Sequence, residues 1–160
     1  MNKLFLIILG VLFMSNVKKE KPIITFFNGK MRRRGCDGGG CGHFGASRDN
    51  GTRQHKGLDI LCVVDSEVYS PFNGLVIDTV DAYGDGKYLG LNILEIDLNV
   101  NCKIMYFEPL SGLKGQIVEV GQLLGYCQNI SAKYGAHVPP HLHIEIIKNG
   151  SKIDPEPYLF

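Results

Sequence analysis

The apolar residues of this chain come in short runs rich in Val, Ile, Leu, Tyr and Phe, each closed by turn residues. No segment sustains a long 3.6-residue apolar period, so little helix is expected. Strands are expected at 57–64 (GLDILCVV), 67–70 (EVYS), 74–80 (GLVIDTV), 91–98 (LNILEIDL), 102–108 (CKIMYFE), 123–128 (LLGYCQ) and 142–148 (LHIEIIK). Pro71-Phe72-Asn73-Gly74 reads as a tight turn, and Tyr83 to Gly90, with its three glycines, as a loop. Many short strands with frequent turns predict a mainly β fold, an antiparallel sandwich or open barrel. A length of 160 residues suits one domain, expected over 35–160.

Two segments precede it. Lys3 followed by LFLIILGVLFM (Leu4 to Met14) is apolar but short for a bilayer span, and lysines follow it. Residues 1–16 therefore read as a signal peptide, with no stable membrane insertion. Residues 17–34, ending in Arg32-Arg33-Arg34, read as a pro-segment or flexible N-terminal arm. Lys+Arg 17 against Asp+Glu 16 provides no field for nucleic acid or an anionic membrane as a general partner. Neither composition nor motif specifies an oligomeric state.

Five cysteines agree with an oxidising, extracellular compartment. Cys36 and Cys41 enclose only DGGG, a loop able to bring both sulfurs together. Cys62, Cys102 and Cys127 leave one thiol over, and sequence alone does not choose the pair among them.

Two histidine clusters carry the chemistry. In His55-Lys56-Gly57-Leu58-Asp59 the outer residues are four apart, and in His141-Leu142-His143 they are two apart. Side chains alternate along an extended chain, so both spacings place their pair on one face. Two imidazoles and a carboxylate meeting at a point suit Zn²⁺, with a fourth position left for water. His55, Asp59 and one histidine of the HLH pair suffice. The other is then free to move protons. Each motif alone is a common surface or core arrangement, and only their combination points to a metal.

The words around these clusters resemble a known family. HKGLDI, VYSPFNGLVI, KGQIVEVGQLLGY and PHLHIEI, in that order, are similar to the lysostaphin-type zinc endopeptidases, which cut peptide cross-bridges in bacterial cell walls. GCDGGGCGHFGASR followed by HKGLDILC resembles more closely the leukocyte cell-derived chemotaxins, secreted animal relatives of those peptidases. The resemblance covers about 35–160. It implies the duplicated hybrid motif fold of the peptidases, a groove over the metal, His55, Asp59 and His143 as zinc ligands, and His141 as the catalytic histidine.

It also exposes departures. The peptidases carry a further histidine in a segment reading roughly Tyr-Ala-His-Leu, and Glu108 stands at that position here. A carboxylate beside a developing oxyanion would oppose it, and loss of one oxyanion donor elsewhere costs about 10²–10³ in rate. Among the cysteines, Cys36, Cys41, Cys62 and Cys102 match the chemotaxin pattern. The usual partner of Cys102 is replaced by Ile146, Cys62 lacks an upstream partner, and Cys127 is extra, so bridges beyond 36–41 stay open.

The resemblance thus implies a secreted, zinc-binding, non-proteolytic signalling or innate-immunity protein. Its partners would be a cell-surface receptor or a microbial surface such as peptidoglycan. The rival expectation is an active zinc endopeptidase cleaving peptidoglycan cross-bridges, with His141 as general base. A third is a peptidoglycan-binding module that does no chemistry. Arg48 and Arg53 are read mainly as surface arginines, His43 as structural or exposed, and His137 as a histidine able to swing towards the site. Glu145 shares the face of His143 and could bond a ligand imidazole. Tyr106 is placed either on the groove or in the core.

Overall fold

The computed structural model describes residues 26–27 and 30–160. The expected signal peptide lies outside them. Fourteen short strands follow one another: β1 Cys36–Asp37, β2 Gly40–Cys41, β3 Ser47–Arg48, β4 Arg53–Gln54, β5 Leu58–Leu61, β6 Glu67–Tyr69 and β7 Gly74–Asp81. Then come β8 Leu89–Glu95, β9 Val100–Met105, β10 Phe107–Pro109, β11 Ile117–Val118, β12 Leu123–Cys127, β13 His141–Lys148 and β14 Ser151–Ile153. Among the described residues, helix is confined to α1 Ser131–Tyr134, α2 Glu156–Leu159 and one 3-10 turn, Asp49–Gly51. The mainly β, antiparallel expectation holds, and the expected strands recur with shifts of a residue or two at most of their ends.

A seven-stranded sheet runs β11-β7-β8-β9-β13-β14, with β5 also paired to β13. β13 thus has β9 on one side and two partners on the other: β5 beside 141–144 and β14 beside 146–148. A three-stranded sheet, β10-β12-β6, packs over it, and β1-β2 and β3-β4 form two small hairpins.

The core lies between the sheets. Leu58, Ile60, Leu91, Ile93, Ile104, Leu142, Ile144 and Ile146 of the large sheet are buried with Val68, Phe107 and Leu124 of the small one. Each such aliphatic side chain contributes about 1.5–3 kcal/mol through removal from water. Phe26 belongs to the same core. Arg32 to Arg34, expected as part of an arm, lie along β5: Arg34 N–H donates to Asp59 O at 2.8 Å and Leu61 N–H to Arg32 O at 2.8 Å.

Cys36 and Cys41 are bonded, as expected. The open choice is decided by tertiary structure: Cys62, just past β5, pairs with Cys127 at the end of β12 and so ties one sheet to the other. Cys102 is a buried free thiol.

Candidate metal centre

β5 and β13 build the site between them. Their register sets His143 opposite Asp59, with Leu142 opposite Ile60 and Ile144 opposite Leu58. The aliphatic residues are sealed in the core, which fixes the phase of both strands and leaves Asp59 and His143 on the other face. His55 arrives from the loop before β5.

Three ligand atoms converge. His143 Nδ1 lies 2.8 Å from Asp59 Oδ1 and 3.0 Å from His55 Nε2, and His55 Nε2 lies 3.2 Å from Asp59 Oδ1. Ligand atoms around a tetrahedral zinc at about 2.0–2.1 Å stand roughly 3.3 Å apart, so this triangle needs little expansion to accept one. The donor set, two nitrogens and a carboxylate oxygen, is chemically suited to zinc. His55, Asp59 and His143 are thereby brought together as a group able to hold a metal ion.

The surroundings orient each member. His55 Nδ1 donates to the carbonyl of His43 at 2.8 Å, so that with an ion bound Nε2 would be the atom to present its lone pair. His43 contributes through its backbone. His143 Nε2 faces Glu145 Oε1 at 3.5 Å, and Lys152 Nζ holds that oxygen at 2.6 Å. This is the partnership with a ligand imidazole considered for Glu145. Burial alone would raise the Asp59 carboxyl, but hydrogen bonds from His143 and His55 overcome it and hold Asp59 ionised well below the usual carboxylate range.

His141 lies beside the triangle. Its Nδ1 donates to Pro139 O at 2.7 Å, and its Nε2, free of that bond, stands 3.8 Å from Asp59 Oδ2. Burial lowers its pKa, so the ring is neutral at physiological pH and able to accept a proton.

The triangle opens into a cleft of about 860 Å³. One wall is aromatic: Tyr106, Tyr83 and Tyr134 line it, and their hydroxyls form a chain with two steps of 2.8 Å. Tyr106 resolves its two expected placements in favour of the cleft. Its ring stands edge-on to His141 at 5.4 Å, and burial pushes its phenol up to about 12. It has a φ of 72°, in the left-handed region, at the junction of β9 and β10.

That kink changes the reading of Glu108. Its side chain is exposed, its carboxylate accepts from Gln128 Nε2 at 3.2 Å, and it does not line the cleft. The repulsion expected between Glu108 and a developing oxyanion lacks its geometry, because the left-handed residue resets the alternation of side chains. His137 likewise lies off the cleft wall, over Gly38. Arg48 lines the cleft and donates to Cys41 O at 2.6 Å, so it braces the loop; Arg53 pairs with Asp49 at the surface.

Sequence reasoning missed Arg34. It is buried, and its Nη1 donates to Asp59 Oδ2 at 2.7 Å. Nothing in the run Arg32-Arg33-Arg34 marks the third arginine as different. Tyr83 and Tyr134 were missed too, for they come from the loop after β7 and from the end of α1, which meet only in the fold.

Comparison with known proteins agrees with this geometry. Residues 53–155 match the sequence profile of Peptidase family M23. The chain is 32% identical to leukocyte cell-derived chemotaxin-2 of Mus musculus over 126 residues, covering 79% of this chain and 78% of that protein. It is also 32% identical to myeloid protein 1 of Gallus gallus over 123 residues, covering 76% of this chain but 36% of that longer protein. Among solved structures, the catalytic domain of the antimicrobial peptidase lysostaphin from Staphylococcus simulans superposes with a TM-score of 0.54 at 25% identity, over 77% of this chain and 90% of that one. LytU shares the fold with a TM-score of 0.59 at 19% identity, over 84% of this chain and 87% of that one. Strand order, converging histidines and profile match agree: the chain belongs to Peptidase family M23.

Proposed function

We propose that this is a secreted, chemotaxin-like protein that binds one zinc ion through His55, Asp59 and His143 and does not cleave peptides. The observation that carries the reading is an intact ligand triangle with a single further histidine, His141, on the cleft among the described residues. Two disulfides and the chemotaxin-named relatives support an extracellular setting. Partners of the cleft face would be a cell-surface receptor or a microbial surface.

Zinc, when bound, supplies a Lewis-acid centre and a cross-link between separate stretches of chain. The rest is done by residues of this chain. The His43 carbonyl fixes the His55 tautomer, and Glu145 holds the far nitrogen of His143. The cleft wall beside His141 is formed by Tyr106, whose hydroxyl is already bonded to Tyr83. Absence of one oxyanion donor lowers rates by about 10²–10³.

A specific observation favours the rival reading, an active endopeptidase: His141 Nδ1 is engaged by Pro139 O, which leaves Nε2, 3.8 Å from Asp59 Oδ2, as the atom able to take a proton, as a general base would. Pure zinc-loaded protein incubated with peptidoglycan or an oligoglycine substrate decides between them. Release of new amino termini that needs zinc and disappears in His141→Ala overturns the binding-protein reading. No release alongside about one zinc per chain supports it.

A further inference from the structure

Asp59 uses one carboxylate oxygen towards the two histidines, and its other oxygen is held from behind. Arg34 Nη1 donates to Asp59 Oδ2 at 2.7 Å, between side chains only 4% and 2% exposed. The same guanidinium grips the hairpin β1-β2. Its Nε donates to Asp37 Oδ2 at 2.7 Å, and its Nη2 donates to Asp37 Oδ1 at 2.5 Å and to Gly40 O at 3.0 Å. Asp37 and Gly40 face each other across that hairpin, next to the bonded pair Cys36 and Cys41. Backbone bonds close the assembly: Arg34 N–H to Asp59 O, Gly42 N–H to Gly35 O and Asp59 N–H to Gly42 O.

We propose that Arg34 is a positioning residue: it restricts Asp59 to one-oxygen ligation and couples the metal site to the Cys36–Cys41 hairpin. This rests on the zinc reading above. Arg34 occupies Oδ2, so Asp59 offers only Oδ1 to an ion, and the carboxylate does not rotate into two-oxygen binding. Arginine is suited to this because its planar fork engages both carboxylates at once. The hairpin, closed by its disulfide, keeps Asp37 and the Gly40 carbonyl where the fork needs them. A partner behind a ligand typically sets metal affinity by 10–100-fold.

Cobalt(II) substitution tests this without any activity. Four-coordinate cobalt absorbs strongly in the visible, and a fifth ligand atom weakens those bands. The wild-type chain should bind cobalt with strong bands. Arg34→Met should bind about 10–100-fold more weakly, with weakened bands, as Oδ2 joins the ion. Arg34→Lys should restore the charge but not the bands, because an ammonium cannot bridge both carboxylates. Cys36→Ser/Cys41→Ser should weaken binding in the same direction, and its effect should vanish in the Arg34→Met background. Asp37→Asn leaves Arg34 present with one anchor weakened, and covers the case in which Arg34→Met does not fold. Unchanged affinity and bands in Arg34→Met and Asp37→Asn, or fully additive effects of the hairpin and Arg34, overturn the proposal and leave the zinc reading standing. A wild-type chain that holds no cobalt or zinc overturns both.

Discussion

Asp59 and His143 are direct cross-strand neighbours, 84 residues apart in sequence, with Nδ1 and Oδ1 2.8 Å apart. The candidate metal site is therefore a property of the β5–β13 register, and His55 completes it from the adjoining loop. His55→Ala should lose bound zinc and the stabilisation zinc gives. At roughly 100-fold excess over Kd that stabilisation is about 2.7 kcal/mol, readable as a Tm rise in wild type that the variant lacks. Equal Tm rises in both proteins would remove His55 from the site.

Gly57 lies between His55 and Asp59, packed under His143. A Cβ there would stand 2.6 Å from His143 Cε1, 2.7 Å from its Nε2 and 2.5 Å from Ile144 O. Gly57→Ala must displace the imidazole or the strand that carries it. The expected result is weaker zinc binding and a destabilisation of about 1–3 kcal/mol. Zinc titration and urea unfolding check the two effects separately, and a variant normal in both contradicts the packing.

Cys102 is buried in the sheet, and burial raises its thiol well above the ordinary range. With the other four cysteines bonded, a thiol reagent should find no reactive group in the folded chain and about one per chain in denaturant. Rapid labelling of the native protein would place Cys102 elsewhere.

Asp37 titrates below its ordinary value of 3.8, chiefly because it accepts hydrogen bonds from Arg34. The unfolded chain therefore binds more protons between the lowered value and about 3.8, and stability rises with pH across that window. The contribution is complete above 3.8 and lost as acid titrates the folded carboxyl. Asp37→Asn should flatten this limb in urea midpoints measured against pH, with the other lowered carboxyls, Asp59, Asp78, Asp81 and Glu145, supplying the slope that remains. Coincident slopes for variant and wild type would show that the fork does not hold Asp37.

Glu108→His restores the residue type that the peptidases carry, yet the side chain points away from the cleft and towards Gln128. The variant should fail to cleave oligoglycine, because Tyr106 occupies the wall beside His141. Cleavage by this single change would show that position 108 reaches the site.

Much of the site was legible because alternation is a local property. His55 and Asp59 were readable as a pair, and so was HLH on a strand whose aliphatic residues face inward. The direction of the Glu108 side chain was not legible, because that rule stops there: the left-handed φ at Tyr106 and the passage of the chain from the large sheet to the small one intervene. The partner of Cys62 was hidden for a related reason. It depends on where the ends of β5 and β12 meet, and no pattern within either strand encodes that.

The sequence by itself determined the mainly β character and the longer strands, the 36–41 bridge and which residues could share a strand face, since each follows from steric preference or short-range spacing. Tertiary structure alone decided that Asp59 meets His143, that Arg34 rather than its two neighbours stands behind the carboxylate, and that Tyr106 and not Glu108 lines the cleft. Those outcomes depend on register and on strand crossings between distant segments, where burial of the whole core, not any local preference, selects the arrangement.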